Sequence, residues 1–281
     1  MVPRERARIV SRRLAEAGRE ALLDLLRCLR FYSRLPVPQL PSEPDPHAAP
    51  DFATMPRLLP IAGAIIGAVG GAVLVGALAL GLGPLLAAAL AVTATTLATG
   101  AFHEDGLADT ADGFGGGTTP ERRLEIMRDS RIGAFGGTAL VLAFGLRIAA
   151  ITELAQRLDL AGAFAAFVIV AALSRCAALV LMMRLPPARM SGSSYAVGQP
   201  TRRTFVTAWA LAAGLALAAA AATGLPLPGL ILAFALAVGA ALAMARAARR
   251  LVGGHTGDVA GATQQLAEIT ALVGLLIAAP P

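Results

Sequence analysis

The sequence contains no lysine and only two cysteines among its 281 residues. All 24 basic residues are therefore Arg, and in a chain so rich in Ala and Gly this is consistent with a biased genomic base composition. Cys28 and Cys176 form no CxxC or Cys/His spacing, which argues against a zinc site and against a disulfide framework.

Charged and aromatic residues are also scarce, at 15% and 5% of the chain. Soluble domains average about 25% charged residues. The net charge of +6 comes without any basic patch interleaved with aromatic side chains, so we expect no nucleic-acid partner. Residues 1–34 hold many Arg and no apolar core followed by a small-residue cleavage site, so we expect no cleavable signal peptide.

Long apolar runs dominate the rest of the chain, which is 56% hydrophobic with a mean hydropathy of +0.68. A membrane helix needs about 20 mostly apolar residues. This criterion predicts an all-α, polytopic helical membrane protein with about seven transmembrane helices. The predicted spans are 58–80, 84–102, 134–152, 161–183, 205–223, 228–248 and 262–279.

The distribution of Arg predicts the orientation of these spans. With the N-terminus in the cytoplasm, residues 1–57, 103–133, 184–204 and 249–261 are cytoplasmic and hold nearly all of the Arg. This agrees with the positive-inside rule. The lipid bilayer is therefore an expected partner of the chain.

Two regions follow from this topology. Residues 1–57 are predicted to be an Arg-rich cytoplasmic segment with an amphipathic helix at 19–35 and a Pro-rich loop at 36–50. Residues 58–281 are predicted to form the helical transmembrane domain that carries the catalytic residues.

The stretch 103–117, HEDGLADTADGFGGG, holds four acids: Glu104, Asp105, Asp109 and Asp112. If the second membrane helix continues through them, the i, i+4, i+7 spacing puts the three Asp on one face. Carboxylates hold Mg²⁺ together with substrate phosphates, so these acids are predicted metal ligands. The alternative is a solvated acidic loop, although acids between apolar runs are costly to keep without a function.

The next stretch, PERRLEIMRDSRIGAFG at 120–136, combines Arg with Asp and Ser. Guanidinium groups suit phosphate, so we predict a phosphate-binding segment, although Arg of a cytoplasmic loop is the simpler explanation for Arg122 and Arg123. The candidate residues are Arg122, Arg123, Arg128, Asp129, Ser130 and Arg131.

A third polar stretch, 253–268, contains His255, Asp258, Gln265 and Glu268 at the start of the last span. The last three are spaced to share a helical face, and with His255 they are candidates to complete a site. His255 is equally well explained as an ordinary loop residue.

Arg147 and Arg175 lie inside apolar runs. An Arg at the bilayer centre costs about 2.5–3.5 kcal/mol, so both are predicted to face the bundle interior and to pair with an acid or a ligand. Glu153 is the expected partner of Arg147, and Arg175 is a candidate substrate-binding residue.

Four stretches together resemble the cobalamin synthase family (adenosylcobinamide-GDP ribazoletransferase). They are FYSRLPVP at 31–38, HEDGLADTADGFGGG at 103–117, ERRLEIMRDSRIGAFG at 121–136 and GDVAGATQQLAEI at 257–269. The chain departs from the family mainly in its long Arg-rich N-terminal extension.

The resemblance implies a Mg²⁺-dependent, multi-pass enzyme of the bacterial cytoplasmic (inner) membrane, with its active site facing the cytoplasm. Such enzymes join adenosylcobinamide-GDP to α-ribazole, or its 5′-phosphate, giving adenosylcobalamin, or its phosphate, and GMP. A homo-oligomer or contact with other cobalamin-assembly enzymes is a further expectation.

Combined with this chemistry, the polar residues receive hypothetical roles. Asp105, Asp109 and Asp112, with Glu104 as a further ligand, bind Mg²⁺, and Arg128 and Arg131 hold phosphate oxygens. Asp129, Asp258 or His255 orients or deprotonates the ribazole hydroxyl. The predicted substrate-binding residues are Arg122, Arg123, Ser130, Arg175 and Gln265.

Two other functions fit the same features. A CDP-alcohol phosphotransferase has a D-G-x-x-A motif that DGLAD at 105–109 matches only loosely, and Asp109 follows Ala108 where that motif has Arg after its Ala. A cation-coupled transporter would place acids in the membrane, but such proteins typically show internal repeats, and none is evident here.

Overall fold

The computed structural model describes residues 3–41, 43, 45, 50–189 and 193–279, and these residues are mostly α-helical. The described part contains no β-strand, only an isolated bridge between Pro187 and His255. The prediction of an all-α fold is confirmed. The helices are α1 Pro3–Tyr32, α2 Leu59–Ala79, α3 Pro84–Thr99, α4 Phe102–Gly116, α5 Pro120–Ile126, α6 Ala134–Arg157, α7 Leu160–Arg184, α8 Ser193–Ala196, α9 Arg202–Thr223, α10 Leu227–Leu251 and α11 Gly257–Ala278, and a 3-10 helix, Met55–Leu58, precedes α2.

Six helices are long and apolar enough to cross a membrane, and α3 with α4 adds a seventh if that bent pair counts as one span. The predicted number of spans is therefore confirmed at six to seven. The largest differences in bounds are at α6, which ends at Arg157, and at α11, which begins at Gly257.

The second predicted span differs from the structure in a way that matters for the site. The shared face of the three Asp was derived for a second membrane helix that continues through the acidic stretch, whereas α3 and α4 are bent by 89° at a short break. Gly100 and Ala101 adopt left-handed backbone conformations, with φ of 65° and 57°. A left-handed residue ends a helix, so the acids lie on a separate helix, α4.

Helix α7 is the centre of the bundle, and 83% of its most apolar stretch is buried. It packs closely on α2, where Gly63 and Gly67 face Ala171. A Cβ atom at Gly63 would lie 2.7 Å from the Ala171 carbonyl oxygen, so only glycine permits this approach. Helix α9, in contrast, is only 17% buried over its span, as expected for a lipid-facing helix.

The C-terminal turns of α1 pack against the bundle. Asp24 is buried and pairs with Arg57 at 2.7 Å, while Cys28 and Leu29 are buried beside the 3-10 helix and α2. Leu22, on the predicted apolar face, is 45% exposed. The expected loop at 36–50 falls partly outside the described residues, at positions 42, 44 and 46–49.

Candidate active site

Helices α4 and α11 cross at a very short distance. A Cβ atom at Gly106 would lie 2.8 Å from the backbone oxygen of Asp258, and one at Gly261 would lie 3.4 Å from the Cα atoms of Gly106 and His103. Glycine at both positions lets the two backbones approach. The acidic stretch and the polar start of α11, which are distant in sequence, thereby become neighbours.

Three carboxylates gather at this crossing: Asp105, Asp109 and Asp258, which we call the acid cluster. Asp105 is exposed, and Asp109 and Asp258 are half-buried. The negative charges of Asp105 and Asp258 both act on Asp109, and Asp105 also acts on Asp258. Thr256 caps α11 through the Val259 N–H and also donates to Asp258 Oδ2 at 3.2 Å.

The acid cluster is an open arrangement. Among the described residues, no three His, Cys, Asp or Glu side chains converge closely enough to form a ready-made metal site. The side chains of Asp105 and Asp109 form no hydrogen bond or ion pair with any described residue. Since Mg²⁺ usually keeps several waters and uses one or two carboxylates plus substrate phosphates, these two residues suit such an ion.

Glu104 points away from the acid cluster and into the bundle. Its side chain is buried, and its Oε1 atom lies 2.8 Å from the Arg147 guanidinium. Arg147 also contacts Glu268 at 2.9 Å and donates to Gln265 Oε1 at 3.3 Å. Arg147 on α6 therefore links Glu104 on α4 to Glu268 on α11. Gln265 on α11 belongs to the same buried network.

The expected pairing of Arg147 with Glu153 was wrong. Glu153 instead pairs with Arg157 one turn further along α6, at 2.9 Å and near the surface. Arg147 and Glu153 are six positions apart, and residues on one helix meet at spacings of three or four.

Asp112 is held by the start of α6. Its two carboxylate oxygens accept hydrogen bonds from the backbone N–H groups of Gly133 and Gly136, at 2.7 and 2.8 Å. These N–H groups have no partner within α6, and a carboxylate is favoured at the positive end of the helix dipole. Asp112 thus caps a neighbouring helix while lying near Asp109.

The loop after α5 carries an exposed ion pair. Arg131 donates to both oxygens of Asp129, and these hydrogen bonds, with one from the Arg131 backbone, lower the pKa of Asp129 to about 2. The hydrogen bonds to Asp129 also raise the pKa of Arg131. Arg128 and Ser130 are exposed in the same loop.

Arg122 and Arg123 both form contacts within the protein. Arg122 pairs with Glu125 on the surface of α5, at 2.6 Å. Arg123 donates to the Leu251 carbonyl at 3.1 Å and so ties α5 to the end of α10. This supports the simpler explanation considered for these two residues.

Arg189 lies in the loop after α7, at 184–203, which contains several Arg and no acids and gives only a weak sequence signal for anion binding. It donates to the Leu124 carbonyl, and its buried Nε atom has no partner among the described residues. Burial lowers the pKa of Arg189, and the charge of nearby Arg128 lowers it further, whereas Asp258 acts in the opposite direction. Arg189 therefore lies near the acid cluster, and Arg128 lies near Arg189.

A cavity of about 190 Å³ lies on the other side of the α4–α11 crossing. Arg175, His103 and His255 all line it and are buried. Burial lowers the pKa of His255 to about 4, so its imidazole is neutral at pH 7. Ser174, next to Arg175 in the sequence, accepts a hydrogen bond from Gln264 at 3.0 Å.

Comparisons with known proteins identify the family of the chain. The family model for Cobalamin-5-phosphate synthase matches residues 24–276. An adenosylcobinamide-GDP ribazoletransferase of Azorhizobium caulinodans is 51% identical over 261 residues, which cover 92% of this chain and 97% of the relative. The proteins of the same name from Xanthobacter autotrophicus and Sinorhizobium medicae are 49% and 43% identical, over 90% and 92% of this chain and 96% and 98% of the relatives.

No solved structure matches the chain. The match nevertheless extends over both polar stretches that form the α4–α11 crossing and over every candidate residue named above. The chain belongs to the Cobalamin-5-phosphate synthase family.

Proposed function

We propose that this protein is an adenosylcobinamide-GDP ribazoletransferase, which joins adenosylcobinamide-GDP to α-ribazole, or its 5′-phosphate, and releases GMP. Family membership over residues 24–276 and several relatives of that name support the proposal. They favour it over a CDP-alcohol phosphotransferase or a transporter.

One observation carries the chemistry: three acids and an arginine meet at one end of the bundle. Asp258, which lies near Asp105 and Asp109, is also near Arg189, and Arg128 lies near Arg189. Transfer of a substituted phosphate group needs positive charge around the diphosphate and a carboxylate near the attacking hydroxyl. Both charges are available at this position.

Asp105 and Asp109 would hold Mg²⁺, because their carboxylates are free of other partners among the described residues. A bound Mg²⁺ would neutralise charge on the diphosphate and on the GMP leaving group. Glu104 and Asp112, the other predicted ligands, are engaged by Arg147 and by the start of α6, so their contribution would be to hold α4 in position.

The protein's own side chains bind the phosphates and accept the proton. Arg128 and Arg189 bind phosphate oxygens and stabilise negative charge. Asp258, oriented by Thr256, accepts the proton of the ribazole hydroxyl. The oxygen of that hydroxyl forms the new bond to phosphorus while the bond from this phosphorus to the GMP oxygen breaks. Asp129 is a poorer base, since its bidentate contact with Arg131 lowers its pKa to about 2.

The orientation in the membrane is part of the same proposal. The acid cluster opens on the side that carries α5 and the loop around Arg189, where Arg is abundant. The positive-inside rule assigns this side to the cytoplasm, so the enzyme would act at the cytoplasmic face of the bacterial inner membrane.

The direct test is turnover by purified, detergent-solubilised protein given adenosylcobinamide-GDP, α-ribazole and Mg²⁺. We expect GMP and adenosylcobalamin to form only with Mg²⁺. Asp109→Asn should reduce the rate at least about 100-fold, because it removes charge at the reacting centre.

The matched control is Glu153→Gln, which neutralises an acid that lies outside the site and pairs with Arg157. It should retain normal turnover. Folded wild-type protein that produces no GMP would refute the proposed reaction, whereas normal turnover by Asp109→Asn would refute only the metal assignment.

A further inference from the structure

The cavity beside the acid cluster is lined mainly by apolar and aromatic side chains from α1, α4, α7 and α11. Tyr32 stacks parallel to His103 with ring centroids 5.9 Å apart, and Phe31 meets Phe102 edge to face at 5.5 Å. These four rings form one wall. An aromatic wall favours an aromatic ligand through stacking and edge contacts.

Two buried nitrogen atoms on this cavity lack partners among the described residues. They are Nε of Arg175 and Nε2 of His255, whose side chains are 2% and 1% exposed. Arg175 donates from Nη1 to the Ala171 carbonyl, at 2.8 Å. A buried polar atom without a partner destabilises the folded protein, so two in one apolar cavity indicate a ligand that supplies polar atoms there.

The cavity and the acid cluster share a wall. Thr256 lines the cavity, and the same hydroxyl donates to Asp258. On α4, His103 faces the cavity, whereas Asp105 and Asp109 project from other sides of the helix. Thr256 therefore lies between a ring in the cavity and Asp258.

The size and polarity of the cavity select among the ring systems of the reaction. An engineered apolar cavity of about 150 Å³ admits benzene, so about 190 Å³ suits a small bicyclic ring and excludes a corrin. Guanine would need hydrogen-bond acceptors, and the one amide side chain among the described lining residues, Gln264, already accepts from Gln265.

We propose that this cavity binds the benzimidazole base of α-ribazole and so directs its ribose towards the acid cluster. The inference rests on the proposed function and adds to it the place of the nucleoside substrate. The ring stacks on the aromatic wall, and its free nitrogen accepts a hydrogen bond from Arg175 or His255.

The test narrows the cavity and measures both Michaelis constants. Ala178 lines the cavity from α7, so Ala178→Leu should raise the KM for α-ribazole about tenfold and leave the KM for adenosylcobinamide-GDP unchanged. Ala161→Leu, an exposed position near the start of the same helix, is the control and should change neither. Dimethylbenzimidazole, the free base of α-ribazole, should compete with α-ribazole. Its inhibition constant should be about tenfold higher for Ala178→Leu than for wild type.

An unchanged KM for α-ribazole in folded Ala178→Leu would overturn the proposal, as would a rise confined to adenosylcobinamide-GDP. If Ala178→Leu does not fold, Phe31→Leu removes one ring of the wall and should give the same selective rise. Wild-type protein that makes no GMP would refute the proposed function without testing the cavity. In that case equilibrium dialysis of dimethylbenzimidazole tests the cavity directly, because wild type should bind this ring and Ala178→Leu should bind it more weakly.

Discussion

At the scale of single residues, Arg147 has the most demanding environment. It is 1% exposed and lies between Glu104 and Glu268, so it forms ion pairs with acids from two other helices. We predict that Arg147→Met lowers the free energy of unfolding by about 3–5 kcal/mol, because it leaves two buried carboxylates unpaired. Thermal unfolding in detergent would measure the loss.

Arg157 provides the matched comparison on the same helix. Its pair with Glu153 is partly exposed, so Arg157→Met should change stability by at most about 1 kcal/mol. Adding Glu104→Gln and Glu268→Gln to Arg147→Met should restore part of the lost stability. We call Glu104, Arg147 and Glu268 the buried triad. Similar losses of stability from Arg147→Met and Arg157→Met would contradict its importance.

The types of residue in the site could be predicted from the sequence, but their partners could not. An acid between apolar runs is recognisable as costly, which pointed to Glu104 and Asp112. Glu104 meets Arg147 across 43 positions and Asp112 meets Gly133 across 21, and such pairings depend on how helices pack. Charge alone therefore did not separate the acids that hold helices together from those that remain free.

At the scale of elements, the α4–α11 crossing determines the spacing of the acid cluster. We predict that Gly106→Ala lowers stability by about 1–3 kcal/mol and slows turnover, because its Cβ would meet the Asp258 backbone at 2.8 Å and push the helices apart. Unfolding temperature and initial rates would measure both effects.

Gly76→Ala in α2 is the control, since nothing lies within 4 Å of the added Cβ. Alanine is favoured over glycine in a helix by about 1 kcal/mol, so this variant should be neutral or slightly stabilised and fully active. Normal turnover by Gly106→Ala would show that the crossing tolerates a wider separation.

The helices themselves were largely predictable, because a run of apolar residues is a local property. The break between α3 and α4 was not. Hydropathy continues through Phe102, and the bend depends on Gly100 and Ala101 adopting positive φ. Apolar periodicity does not contain that information, and a single Gly in a membrane run is common.

At the scale of the whole molecule, the sidedness of the loops can be measured with cysteine labelling. Both natural cysteines are buried, so the parent protein should react little. In spheroplasts, a membrane-impermeant maleimide should label Leu82→Cys, in the turn between α2 and α3. It should label Glu121→Cys, on α5, only after lysis.

Both positions are exposed, so their accessibility should depend on the side of the membrane. The rates measured after lysis provide the control for intrinsic reactivity. Labelling of Glu121→Cys in intact spheroplasts, with Leu82→Cys protected, would invert the proposed orientation and place the acid cluster outside the cytoplasm.

The buried triad also has a consequence for biogenesis. The chain is synthesised from its N-terminus, so Glu104 and Arg147 enter the bilayer before Glu268 has been made. During that interval the single acid Glu104 faces two buried cations, Arg147 and Arg175. Completion of α11 adds the second acid, Glu268, and only then do the negative charges in the bundle interior match the positive ones.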